Sequence, residues 1–248
     1  MEDVITEAAP PSRLLEEDLN TFTPPSPPLP SPFLIFPHHQ QQQPLKPTLL
    51  IIAISSSSLS LFHSHLTPQT LTASLILPES NTFLDLHSLS PTSLLAAVRT
   101  PIPAHRAVAV AKLLLGDKIK PSSVIVLDSL DPRHHRGRLS SDLPIAFKLE
   151  SSAERAVKEK LLLGELEYYP SGSIVEGLAA AILARCQILK LRASLCVSWP
   201  QFDASAVLLV KDLLQRGALR GFDFGLSDDQ ALKFGRSKDS EFPSHLYI

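Results

Sequence analysis

The stretch Leu49-Leu50-Ile51-Ile52-Ala53-Ile54 decides the fold class of this sequence. Every position is apolar, whereas a strand with one face in water alternates between apolar and polar residues. Because the run is short and rich in β-branched isoleucine, it favours a strand over a helix. We therefore predict a central strand that is buried on both faces.

Other short apolar runs carry a related signature. They cover residues 73–77, 93–98, 124–127 and 193–198. The run at 124–127 again lacks alternation, so we predict a second central strand there.

Helical patterns separate and follow these strands. Pro103 begins one pattern and Gly116 follows its end, as expected for a proline in the first turn and a glycine beyond the last. Asp203 is expected to cap another helix, which would run to Arg216 and stop at Gly217. Strands that alternate with helices predict an α/β fold, a three-layer sandwich with a mostly parallel central sheet.

The strongest helical pattern is expected to begin at Ser173. Ser173 and Glu176 have the spacing of a capping box, in which each side chain accepts a hydrogen bond from the backbone N–H of the other residue. The apolar positions that follow recur at helical spacing and define one face. They are Val175, Leu178, Ala179, Ile182, Leu183 and Cys186.

The first 47 residues differ in composition from the rest. They contain 11 of the 22 prolines and the run Gln40-Gln41-Gln42-Gln43. Dense proline prevents both helices and strand ladders. We predict a disordered Pro/Gln-rich arm at residues 1–47, an α/β domain at 48–235 and a flexible C-terminal tail at 236–248.

Composition argues against several classes of protein. The formal net charge of -2 gives no basic excess of the kind that nucleic-acid binding needs. The two cysteines, Cys186 and Cys196, are too few for a secreted disulfide scaffold and are expected to be small core residues. The N-terminus is acidic, unlike a signal or transit peptide, and the longest apolar run falls far short of the roughly 20 residues of a spanning helix. We expect a cytoplasmic protein with access to the nucleus and without nucleic-acid binding or membrane insertion.

The motifs of common enzymes are missing. The first glycine of the chain is Gly116, so no glycine-rich turn follows the first strand, as a dinucleotide site requires. The sequence has no P-loop, no Gly-x-Ser-x-Gly elbow, no His-Glu-x-x-His and no Cys-x-x-Cys. We expect a protein that is not an enzyme and that uses neither a cofactor nor a metal.

Two polar features leave alternatives open. The basic run Arg133-His134-His135-Arg136-Gly137-Arg138 follows a predicted strand, where α/β folds often bind ligands. It is either a phosphate- or acid-binding loop or a mobile, solvated loop flanked by aspartates. His63 and His65 have strand spacing and could share a face toward a metal, but no third ligand accompanies them. Trp199 ends a predicted strand, where packing at the rim is the expected role.

The second half of the sequence resembles proteasome assembly chaperone 1. The stretches that carry the resemblance are Leu143-Pro144-Ile145-Ala146-Phe147-Lys148, residues 173–187, the strand from Leu195 to Trp199 and the end His245-Leu246-Tyr247-Ile248. The last of these is similar to the family's hydrophobic-Tyr-any terminus. The resemblance covers about residues 48–248 and is closest after Leu143, whereas the arm and residues 78–91 depart from the family pattern.

The resemblance implies a non-enzymatic partner-binding function. Such a chaperone pairs with proteasome assembly chaperone 2, binds the α-subunit ring of the 20S core particle, promotes ring assembly and prevents off-pathway association. The family contributes no catalytic residue, cofactor or metal. The partner-binding residues implied here are Leu246, Tyr247 and Ile248.

Physical chemistry gives the terminus independent support. A carboxylate on Ile248 is a group that backbone donors or a lysine can hold, and Tyr247 offers an apolar ring with a polar tip. Two other hypotheses stay open: a small-molecule hydrolase or phosphorylase with a crevice near residues 128–138, and a scaffold recruited through the proline-rich arm.

Overall fold

The structure, a computed structural model, describes residues 29–37, 44–78, 82–140, 143–158, 161–164, 166–201 and 203–225. In this part of the chain, eight strands form one sheet in the order β1-β3-β4-β5-β2-β6-β8-β7. The strands are β1 Phe33–Ile35, β2 Leu49–Ala53, β3 Leu71–Leu77, β4 Thr82–Ser90, β5 Ser93–Val98, β6 Ser123–Ser129, β7 Ile145–Glu150 and β8 Arg192–Trp199. The helices are α1 Ser56–Leu61, α2 Ala104–Leu114, α3 Ser152–Arg155, α4 Gly177–Leu189 and α5 Ala204–Arg216.

The predicted central strand is confirmed. All five residues of β2 are buried, and β2 pairs in parallel with β5 on one side and with β6 on the other. Ile51, for example, lies opposite Leu95 and Ile125. Every position in this run is apolar because the neighbouring strands β5 and β6, and the helices on both faces of the sheet, exclude water from it.

The sheet is mixed, and the prediction of a mostly parallel sheet is wrong. The pairs β5-β2, β2-β6 and β6-β8 are parallel, whereas β1-β3, β3-β4, β4-β5 and β7-β8 are antiparallel. A parallel pair needs a long crossover, but only Pro91 and Thr92 separate β4 from β5, a length that joins antiparallel strands. The predicted α/β class is confirmed.

Helices cover both faces of the sheet. On one face, α2 and α4 bury Val110, Leu114 and Ile182 against alternate strand residues such as Ile52 and Val126. On the other face, α1 and α5 pack on the remaining strand residues; the cluster there includes Ile51, Ile125, Leu61, Val207 and Leu214. None of the helices in the described residues is long and apolar enough to cross a membrane.

Both ends of α5 agree with the sequence, whereas the start of α4 does not. Asp203 caps α5 by accepting the N–H of Ser205 at 3.0 Å, and Gly217 ends that helix. Residue 177 begins α4, so the prediction of a start at Ser173 with a capping box is wrong. Gly177 has a φ of 61°, in the left-handed region, and a right-handed helix cannot run through it from Ser173.

The sheet also includes chain upstream of Thr48, where we expected order to begin. Phe33–Ile35 pairs with β3 at the sheet edge, and Leu45 bridges to Ile119. Residues 1–28 lie outside the described residues, and so does the whole tail at 236–248. The division into arm, domain and tail stays a prediction.

Candidate functional site

The predicted docking tip lies outside the described residues, but the point at which the tail leaves the domain does not. Phe224 is fully buried, with its ring 5.5 Å from that of Phe62 and 5.0 Å from that of Phe222. Ser64 donates to the Phe224 carbonyl at 2.8 Å. These contacts fix the chain just before Gly225, so any tail-mediated binding starts from a defined place on the α1 side of the sheet.

A cleft of about 350 Å³ lies at the carboxyl ends of β6 and β8; we call it the carboxyl-end cleft. The parallel strands β6 and β8 lie next to each other in the sheet. α/β folds often bind ligands at the carboxyl ends of such strands. The cleft is lined mainly by polar groups, among them Asp128, Asp131, His134, Glu176 and Gln201.

Asp128 is the most perturbed carboxyl group of this cleft. It lies at the end of β6, and its Oδ1 accepts the N–H of Ser129 at 2.8 Å. Burial raises the pKa of Asp128 to about 6, and the hydrogen bond from Ser129 opposes that rise only in part. A carboxyl with such a pKa exchanges its proton near neutral pH, which is what a general acid or base requires.

Asp131, in contrast, is held ionised. Its carboxylate accepts the backbone N–H of Arg133 at 2.9 Å and the Nη2 of the same residue at 2.6 Å. The side-chain hydrogen bond to Arg133 is the main cause that lowers the pKa of Asp131 to about 2. The two residues form a local ion pair at the mouth of the cleft.

Asp131, His134 and Glu176 are close enough to be considered as metal ligands. One donor atom of each lies within 4.8 Å of the others, and the His134 Nδ1 is 3.7 Å from the Glu176 Oε1. However, both carboxylate oxygens of Asp131 already accept hydrogen bonds from Arg133, and the guanidinium would repel a cation placed beside it. The cluster is better explained as an ion-pair network at the surface.

The first half of the basic loop is hydrogen-bonded to the segment before α4, while Arg133 and Arg136 are exposed to solvent. The interpretation as a mobile loop stays a prediction. The Arg136 N–H donates to the Ser173 Oγ at 2.8 Å, and the Ile174 N–H donates to the His134 carbonyl at 2.9 Å. The His135 ring stacks at 5.5 Å on that of Phe147. Ser173 therefore holds this loop instead of capping α4.

A nucleophile and a base, Ser64 and His65, lie where residues 62–65 contact residues 222–225. We call this contact region the tail root. The Ser64 Oγ is 2.9 Å from the His65 Nδ1, and burial lowers the pKa of His65 while Asp223 opposes the shift. Ser64, however, directs its hydroxyl proton at the Phe224 carbonyl. The pair therefore serves to hold the chain before the tail. His63 and His65 belong to a 3-10 helix, so the predicted strand spacing is wrong.

Three smaller expectations are confirmed. Cys186 lies on a helix and Cys196 on a strand, both buried and unbridged, and burial raises the pKa of each thiol to about 12. They behave as small core residues. Trp199 ends β8 and donates from Nε1 to the Ser140 carbonyl at 2.9 Å, which is packing at the rim.

The sequence matches no protein-family model and no curated protein at a significant level. The fold does match solved structures. Pyrococcus furiosus PbaA, an archaeal homologue of proteasome-assembly chaperone, has a TM-score of 0.58 and 16% identity, over 82% of this chain and 87% of that one. Pyrococcus furiosus PbaB, an archaeal proteasome activator, has a TM-score of 0.59 and 12% identity, over 82% and 95%.

A PAC2 family protein from Streptomyces avermitilis has a TM-score of 0.50 and 14% identity, over 79% of this chain and 96% of that one. Between 87% and 96% of the length of these three structures is matched. The chain therefore has a proteasome-assembly-chaperone-like fold.

Proposed function

We propose that this chain is a proteasome assembly chaperone that acts by binding rather than by catalysis. It pairs with proteasome assembly chaperone 2 and docks on the α-subunit ring of the 20S core particle, where it promotes ring assembly and prevents off-pathway association. The observation that supports the proposal best is the fold shared with PbaA over 82% of the chain. The sequence resemblance at residues 143–217 points the same way.

The docking group in this proposal is Leu246-Tyr247-Ile248. Leu246 supplies apolar burial, Tyr247 fits a pocket that is dry at its base and wet at its rim, and the carboxylate of Ile248 pairs with a donor in the ring. Pro243 restricts the preceding backbone, which lowers the entropy lost on binding. The aromatic contacts of Phe224 give this tail a fixed origin.

Apolar surface on the helical layer supports the need for a partner subunit. Ile188 of α4 is 72% exposed and Val108 of α2 is 57% exposed. Apart from its cysteine, α4 has only two polar residues among its 13, Arg185 and Gln187. Its apolar surface is therefore wider than the part that the sheet and α2 cover. Helices with this pattern are usually covered on all sides.

Co-expression with proteasome assembly chaperone 2 tests the pairing. We expect the chain alone to self-associate and the two chains together to elute as a 1:1 heterodimer in gel filtration. Ile188→Glu should weaken the pairing, whereas Lys118→Glu, a charge change at an exposed residue outside the two helices, should not. A well-behaved monomer that ignores the second chaperone would contradict the proposal.

Affinity capture of α-ring intermediates, read by mass spectrometry, tests the docking tip. The heterodimer should retain α subunits, and Tyr247→Ala should reduce the yield about tenfold or more, the cost of truncating a buried interface tyrosine. One extra residue after Ile248 should be nearly as harmful, because it displaces the carboxylate. Ser244→Ala is the matched control. Equal capture by all four chains would show that the tip does not dock.

One observation favours a second candidate, a small-molecule hydrolase or phosphorylase. Asp128, with a pKa of about 6, lies in a polar cleft at the carboxyl ends of β6 and β8. Asp128→Asn would abolish any ester or phosphoester turnover of the purified chain, and Asp117→Asn, on an exposed turn, would not. If the chain acts by binding, neither protein shows saturable turnover; turnover that Asp128→Asn abolishes would favour this second candidate instead.

A further inference from the structure

A second cleft, of about 660 Å³, lies at the opposite ends of the central strands; we call it the amino-end cleft. Its floor contains Leu49, Ser123 and Leu162, and its rim contains Lys158, Arg216 and Arg220. It thus combines an apolar floor with three cations. No described acidic residue lines it; Glu159 and Glu165 adjoin the lining in sequence and lie outside the described residues.

The walls of the amino-end cleft are held in place by buried contacts. Glu154 is fully buried and accepts the N–H of Leu162 at 2.8 Å, and Lys148 donates to the Gly164 carbonyl at 2.9 Å. At the end of α5, a Cβ on Gly217 would lie 2.7 Å from the Leu162 carbonyl oxygen, so only glycine allows this close approach. The cleft is therefore a built feature rather than a gap between loose loops.

The cations at the rim differ in how they are engaged. Arg216 pairs with Asp212 one helical turn earlier. Lys158 and Arg220 are exposed, and neither has an ion pair with another described residue. Two such cations beside an apolar floor suit an extended peptide that carries carboxylates and apolar side chains.

The chain itself contains such a peptide close by. Residues 239–248 carry Asp239 and Glu241, three aromatic or aliphatic groups near the end, and no lysine or arginine. Gly225, the last described residue, follows Arg220 by five positions, so it lies within roughly 18 Å of the rim. The 23 residues from 226 to 248 can span roughly 75 Å when extended, which is ample to turn back into the cleft.

We propose that the amino-end cleft binds the chain's own residues 239–248, with Lys158 and Arg220 facing Asp239 and Glu241 and the apolar tip on the floor. Two exposed charge pairs and a small apolar contact give weak binding on their own. A tether of this length provides an effective concentration near the millimolar range, so weak binding suffices for substantial occupancy. The docking does not depend on the proposed function; its consequence does, because a tip held in the cleft is withheld from the α ring.

Paramagnetic broadening in the full chain tests this docking directly. Ser240→Cys introduces a single reactive thiol for a spin label, since Cys186 and Cys196 are buried. We expect the amide signals of Gly217 and Ala218 to lose at least about half of their intensity, as expected of a tethered site that is about half occupied. Lys158→Glu with Arg220→Glu should restore them, and Lys112→Glu, on the other face of the sheet, should not.

The outcomes separate the occupants and the two proposals. Broadening that persists unchanged on tenfold dilution identifies the chain's own tail, whereas broadening that fades with dilution identifies a second copy and overturns the proposal. The proposal is also overturned if the broadening remains in the variant Lys158→Glu with Arg220→Glu. The label would then lie near the cleft only because the tail starts nearby, and not because the two cations bind it. If the tail does not dock in the cleft, the capture of α rings by the tip is unaffected. If the tail docks in the cleft and the tip also docks on the ring, the charge-reversed variant should capture rings about twofold better or more.

Discussion

The two clefts at opposite ends of the central strands use charge in different ways. In the carboxyl-end cleft, Asp131 is paired with Arg133 and Asp128 is protonated over much of the acidic range, so the fold itself satisfies its charges. In the amino-end cleft, Lys158 and Arg220 have no ion-pair partner among the described residues. The comparison favours binding of an acidic partner by the amino-end cleft. It does not equally favour catalysis in the carboxyl-end cleft.

The largest expected effect comes from the wall of the amino-end cleft. Glu154→Gln should lower the free energy of unfolding by about 2–3 kcal/mol, because it breaks an ion pair whose carboxylate is buried and whose arginine is partly exposed. Glu154 is fully buried and pairs at 2.7 Å with the Nε of Arg192. Urea denaturation measures the loss. Glu176→Gln, at the exposed rim of the carboxyl-end cleft, is the matched control and should be nearly neutral; equal losses would erase the contrast between the two ends.

The second effect concerns Asp128 and has the opposite sign. The pKa of Asp128 in the folded state, about 6, lies above the ordinary 3.8, so folding binds a proton between about pH 4 and 6 and stability falls as pH rises through that window. Above pH 6 the full cost of the buried charge is present. Asp128→Asn keeps the acceptor for Ser129 and should stabilise the chain at pH 8 by about 1–2 kcal/mol, allowing for the partial exposure of the group.

Denaturation at pH 4 and pH 8 separates this effect from a general gain in packing. The advantage of Asp128→Asn should shrink at pH 4, where the native carboxyl is mostly protonated. Asp131→Asn is the control, since Arg133 lowers the pKa of Asp131 to about 2 and the group stays ionised at both values. A pH-independent advantage would mean that Asp128 carries no buried charge.

The third effect concerns α5, which connects the two ends. Asp203→Ala should destabilise the chain by about 1 kcal/mol, because the N–H of Ser205 loses its acceptor. Asp203→Asn retains an acceptor and should cost a few tenths at most. Thermal unfolding of the three proteins measures the difference; an equal loss in both variants would point to charge rather than capping.

Local patterns predicted the parts of the fold that local forces decide. β2 was readable because a strand buried on both faces must be apolar throughout, and α5 because its cap and its glycine lie at its ends. β4 was missed, although its residues alternate, because Asp85 and His87 interrupt its apolar run. Asp85 is satisfied across the sheet, where it accepts from Ser74 and from Arg99 at 2.7 Å each, and one sequence does not show such partners.

Of the two clefts, one could be predicted from the sequence and the other could not. The carboxyl-end cleft was foreseeable near residues 128–138, because ligands of α/β folds bind where strands end. The amino-end cleft was not, since Lys158 and Arg220 come from segments that meet only through the packing of Leu162 against Gly217. The start of α4 could not be predicted either, because the Ser173 Oγ accepts a hydrogen bond from the Arg136 N–H of a distant loop instead of capping the helix.

The smallest effect on stability belongs to the tip, and its size distinguishes docking from frayed chain. Removing Leu246-Tyr247-Ile248 should cost well under ~1 kcal/mol of folding free energy, because a weak intramolecular contact contributes little more than RT ln 2 when it is half occupied. In the charge-reversed cleft variant even this small cost should vanish. Urea denaturation at low and high salt measures both, since salt screens the exposed pairs at Lys158 and Arg220. A loss of several kcal/mol would instead place the tip in the core of the fold and contradict its proposed availability to a ring.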